Sequence, residues 1–117
     1  MSTYAVIIGV DSPPAMVPYE GFTELKRGMG CSMVETAAHA TISDIRVLML
    51  VDEEGLLKDA PTYNDLASIF RAAVQSRLFG SEPLVGVAAV LKDTGEDCVG
   101  LSEEEAREIV SYLEGLQ

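Results

Sequence analysis

The chain has 117 residues, enough for one domain with its own core, and 48% hydrophobic and 23% charged residues exclude a disordered or fibrous protein. Nineteen acids against eight bases give a formal charge of −11. A field of that sign repels phosphates, which disfavours charge-driven nucleic-acid binding and steers basic proteins inward.

Tyr4 to Val10, "YAVIIGV", reads as a buried strand, short, branched and apolar, stopped by the turn "DSPP". "AMVPYE" follows as a short second strand, and Pro18, lacking an N–H, assigns it to a sheet edge. "GFTELKRGMG" predicts a short helix with Phe22 and Leu25 three apart, Lys26 and Arg27 at its end, and Gly28 or Gly30 as its stop. "SMVETAA" is a third strand, "HATISD" a polar connection, and "IRVLMLV" the strongest central strand. From Asp65 to Leu78 the period becomes helical, with Thr62 or Asn64 as N-cap and Gly80 as the stop. "LVGVAAVL" is an apolar run of small residues, as expected of a strand covered on both faces. After the acidic turn "KDTGEDC" comes "LSEEEAREIVSYLEGL". There Ser102 and Glu105 form a capping box, and Ala106, Ile109, Val110, Leu113 and Leu116 make one apolar stripe. The expected fold is a single α+β domain over residues 1–117. It has a mixed, mostly antiparallel sheet of about five strands with three helices on a face, in the order β-β-α-β-β-α-β-α.

Motifs for catalysis are scarce. Cys31 and Cys98 lie far apart and His39 is the sole histidine, so neither a zinc site nor any other metal or cofactor site is expected; two free buried thiols are. His39 has no recognisable nucleophile motif beside it, and Cys31 near Lys26 and Arg27 has no partner base in view. No phosphate-binding glycine pattern is present. "VDEEG" and "KDTGED" lack calcium-loop spacing and read as solvated turns. The start "MSTYAVIIGV" shows no basic leader, and the longest apolar runs fall well short of the ~20 residues of a membrane helix. A soluble cytoplasmic protein without enzymatic activity is the expectation.

The acids of the last helix offer more. Glu104 and Glu108 lie one turn apart opposite the apolar stripe, with Glu105 beside them, and Asp93, Glu96 and Asp97 extend the surface from the preceding turn. Such a face can contact a basic groove on a partner or mimic a phosphate backbone, although Arg107 interrupts it; its alternative is a solvated helix face. "VDEEGLLKDAPTYNDLA" offers a second candidate: Lys58, Tyr63 and Asn64 as the polar lining of a small-molecule or nucleotide pocket near residues 54–64, with Asn64 as a helix cap the competing role.

That same stretch, with "LVGVAAVLKDTGEDCVGLSEEEAREIVSYL", resembles the family catalogued as domain of unknown function 3846, small proteins borne mostly by phages and plasmids. Glu54, Gly55, Leu57, Pro61, Asn64 and Ala67 fall on its acidic turn, proline and asparagine pattern. Gly86 falls on its glycine-bearing strand, and Leu101, Ser102, Glu104 and Glu105 on its terminal helix start. "AVIIGVDSPPAMVPYEGFTELKRGMGCSMVETA" looks like its hairpin, short helix and glycine-led strand. The helix from Asp65 to Leu78 and "FGSEP" are longer than in many relatives. The resemblance implies a mobile-element context and no reaction. The function expected is that of an accessory protein binding a host protein with a basic surface, such as a nucleic-acid-binding or defence protein. A homodimer is also open.

Overall fold

The structure, a computed structural model, describes residues 2–54, 62–74 and 83–117. Its elements are β1 (Tyr4–Ile8), β2 (Ala15–Pro18), α1 (Phe22–Met29), β3 (Val34–Ile42), β4 (Ile45–Asp52), α2 (Asp65–Val74), β5 (Ala88–Asp93), β6 (Cys98–Val99) and α3 (Glu103–Leu116). They form an α+β domain around a six-stranded sheet in the order β2-β1-β5-β4-β3, with β6 paired to β5. Every described strand pairing is antiparallel, so the sheet is not mixed.

Helices pack on both faces of the sheet, not on one. Val6, Ile8, Val47, Met49, Val51, Ala88 and Val90 point to one side, where α2 contributes Leu66, Ala67 and Phe70 and α3 contributes Ala106, Ile109 and Leu113. Alternate residues Ala5, Leu48, Leu50, Ala89 and Leu91 point to the other, under Leu25 and Met29 of α1. This double cover explains why β4 and β5 read as unbroken apolar runs: Val47 to Val51 and Ala88 to Leu91 are all buried. Phe70 meets Tyr112 edge-on across α2 and α3, with centroids 6.0 Å apart.

Several boundaries differ from those the sequence predicts; the strand expected over 84–91 begins only at Ala88, after Gly86 bends the chain with a φ of 76°, and runs on to Asp93. "HATI" is not a connection: β3 runs through His39 to Ile42, and the chain reverses over Ser43 and Asp44 alone. Both have positive φ, 49° and 69°, as a two-residue type I′ hairpin turn requires. The alternation of small and polar residues in "VETAAHATI" is the strand signal, since β3 is an edge with one face in water. The acidic turn after β5 returns as β6, only two residues long, whose end is fixed by mutual Tyr4–Leu101 backbone bonds of 2.7 Å.

At its other end α1 is closed by Gly30, whose φ of 73° is the left-handed conformation a C-cap uses. In the acidic turn expected after β4, Asp52 accepts a bond from the Glu54 amide at 2.9 Å, and Gly55 lies outside the described residues. The predicted continuation of α2 to Leu78 and its stop at Gly80 lie outside the described residues.

Candidate functional site

The capping box places α3. Ser102 Oγ accepts from the Glu105 amide at 3.1 Å, and Glu105 Oε1 accepts from the Ser102 amide at 2.9 Å. Burial of Ala106, Ile109 and Leu113 then turns the opposite face outward. On that face Glu104 and Glu108 are exposed. The hairpin tip between β3 and β4 brings Ile45 up to them, forming a groove of about 430 Å³ lined by Ile45, Glu104, Glu105, Arg107 and Glu108.

The acids expected to form one surface do not all belong to it. Glu105 is held by Lys92, whose Nζ donates to Oε2 at 2.8 Å; that bond, with the Ser102 amide, keeps its carboxyl below the usual range. Arg107 pairs with Glu103 at 3.1 Å, so the base that interrupts the surface answers a neighbouring acid. Asp93 points to the opposite face of the sheet from Lys92, its neighbour in β5. There its Oδ1 accepts from the Gly95 amide at 2.8 Å, and Oδ2 lies 3.2 Å from His39 Nδ1 and 3.9 Å from Arg46. The Gly95 amide, then His39 and Arg46, hold the Asp93 carboxyl below the usual range. Asp97 accepts from the Cys98 amide at 2.8 Å, and Glu96 is exposed beside it in the turn. Glu104 and Glu108 therefore face the groove, while Asp93 is turned away and Glu105 is neutralised.

The second candidate divides differently. Lys58 lies outside the described residues, and Tyr63 is 53% exposed. Asn64 is fully buried, with Nδ2 donating to the Ile8 and Gly86 carbonyls, both at 2.8 Å, and Oδ1 accepting from the Ala67 amide at 3.1 Å. It caps α2 and ties that cap to β1 and the approach to β5, which commits both its donors and its acceptor to the backbone.

His39 is exposed on β3, with Asp93 as its partner, and Cys98 stands opposite Asp93 in the β5–β6 pairing. Cys31 and Cys98 are half-buried, less enclosed than expected, and burial pushes the Cys98 thiol up, with Asp97 and Asp93 adding to the shift. Among the described residues no group of three metal-ligating side chains converges, and no helix is long and apolar enough to cross a membrane. Sequence reading missed Ile45 in the groove, the His39–Asp93–Arg46 cluster and the Lys92–Glu105 pair. Recognising the Ser43–Asp44 turn would have placed Ile45 at the tip and Arg46 near His39, because it sets the β3–β4 register, whereas Asp93 joins them only through the β4–β5 pairing.

Fold and site together define an antiparallel α+β domain with an acid-walled groove against its C-terminal helix. The chain matches no protein-family model, no curated protein and no solved structure.

Proposed function

We propose that this protein is a non-enzymatic binding module whose groove between α3 and the β3–β4 tip takes a basic segment of a partner protein. The observation that carries this reading is the pairing of Glu104 and Glu108, two exposed carboxylates one helical turn apart, with the apolar side chain of Ile45 lining the same groove. An arginine or lysine suits such a groove. Its aliphatic stem covers Ile45 and its cation meets the carboxylates. Like charges at i and i+4 weaken a helix slightly, so this pair supports a role outside folding. The family resemblance adds a context in which a phage or plasmid carries the protein and the basic partner belongs to the host.

The test is capture of partners from bacterial lysate by wild type, by Glu104→Lys/Glu108→Lys, and by a control with Asp11→Lys in the β1–β2 loop. The expected result is a salt-sensitive partner retained by wild type and control and lost by the double variant. Equal capture by all three, or capture indifferent to salt, refutes the reading.

A further inference from the structure

A second concavity lies on the opposite face of the sheet from α3, where α1 fails to cover the β1–β2 hairpin. Three features of the sequence create it. α1 has only eight residues, β2 only four, and Gly28 presents no side chain toward the gap. A Cβ built on Gly28 meets nothing within 4 Å. The resulting cleft of about 460 Å³ falls within the span of small-ligand sites, roughly 300–1,000 Å³. Ile7, Val17 and Leu25 give it an apolar floor, and Tyr19 closes one side.

Its rim is acidic, with Glu20 and Glu24 on it. Glu24 is answered by Arg27, whose Nη1 donates to both carboxylate oxygens at 2.9 and 3.0 Å. Glu20 pairs with no cation among the described residues. Burial raises the Tyr19 hydroxyl above its ordinary range, so it stays neutral and able to hydrogen-bond. We infer that this cleft binds a small amphiphilic organic cation, its apolar ring on Ile7, Val17 and Leu25 and its ammonium on Glu20. The chain's charge of −11 likewise favours a cationic ligand and opposes an anion.

Tryptamine serves as the probe, with its neutral analogue tryptophol and the anion indole-3-acetate as comparisons, followed by methyl NMR of Ile7 and Val17. Tryptamine is expected to bind saturably and to shift these methyls. Glu20→Gln should weaken tryptamine by roughly two- to fivefold, as for an exposed ion pair, and leave tryptophol unchanged. Gly28→Leu fills the gap with a better helix former and should weaken tryptamine by more than about tenfold with the fold intact by circular dichroism. Glu104→Lys/Glu108→Lys should leave tryptamine binding unchanged, which separates this site from the groove on α3. Equal binding of all three indoles, indifference to Gly28→Leu or Glu20→Gln, loss of binding in the α3 double variant, or no saturable binding would each overturn the inference.

Discussion

Replacing Asn64 by alanine should be among the most damaging single changes in this fold, although it removes only a few atoms. The wild-type side chain joins three backbone segments: the end of β1 through the Ile8 carbonyl, the approach to β5 through the Gly86 carbonyl, and the first turn of α2 through the Ala67 amide. Main-chain bonds around it depend on the same placement. The Asn64 amide donates to the Leu84 carbonyl at 2.7 Å, and the Gly86 amide to the Thr62 carbonyl at 2.8 Å. Three hydrogen bonds at about 0.5–1.5 kcal/mol each, with buried groups left unsatisfied, give a loss of about 3–5 kcal/mol. Against a typical total of about 5–15 kcal/mol, that is a large share.

Two further variants separate the roles. Asn64→Ser keeps a capping oxygen and should recover about 1 kcal/mol relative to alanine. Asn64→Asp keeps the cap but presents a buried carboxylate to two carbonyls. It should be worse than alanine at neutral pH and improve relative to wild type as acid protonates it. Urea unfolding followed by circular dichroism supplies the midpoint and slope, and the alanine variant should melt roughly 10–20 °C lower. An alanine variant within about 1 kcal/mol of wild type would refute the structural role and reopen Asn64 as a ligand-binding residue.

Glu108→Lys should separate stability from binding. The lysine it introduces stands four residues after Glu104, and that opposite-charge pair should stabilise α3 by about 0.3–0.5 kcal/mol while partner capture falls. A variant that loses both, read by thermal melting and pull-down, would show the residue to be structural. Glu105 predicts an acid-side loss of stability. Lys92 and the Ser102 amide depress its folded pKa, so its contribution is full above the unfolded carboxyl pKa and disappears as pH falls through the folded one. Glu105→Gln should flatten the stability profile below the ordinary glutamate range, and an unchanged slope there would count against the Lys92 pair.

What the sequence made legible follows how local each signal is. The capping box of α3 needs only Ser102 and Glu105 three residues apart, and the structure forms it as read. Asn64 is legible as a cap for the same reason, since Ala67 is its near neighbour. Its bonds to Ile8 and Gly86 cross 56 and 22 residues and are invisible without the fold. β3 reads short because "HATISD" is polar on alternate residues, and one exposed face of an edge strand gives that pattern as readily as a loop does. The acidic surface failed in part for a related reason. Spacing along α3 sets Glu104 beside Glu108, but the placement of Asp93 depends on strand alternation in β5, which sends it and Lys92 to opposite faces.

The distribution of bases also limits where a partner can act. Arg27 answers Glu24, Arg46 stands near Asp93, Lys92 answers Glu105 and Arg107 answers Glu103. Each of these contacts neutralises an acid beside an element that must be held in place: a short helix, a turn after a central strand, or the first turns of α3. Glu20, Glu104 and Glu108 are in none of these ion pairs among the described residues. These border concavities with apolar floors. Salt should consequently act in opposite directions on folding and on binding. Screening relieves the self-repulsion of a chain at −11 and stabilises the compact state, yet it weakens attraction between Glu104, Glu108 and a basic partner over about 10 Å at 0.1 M. A protein whose acids served only solubility would show the first dependence without the second.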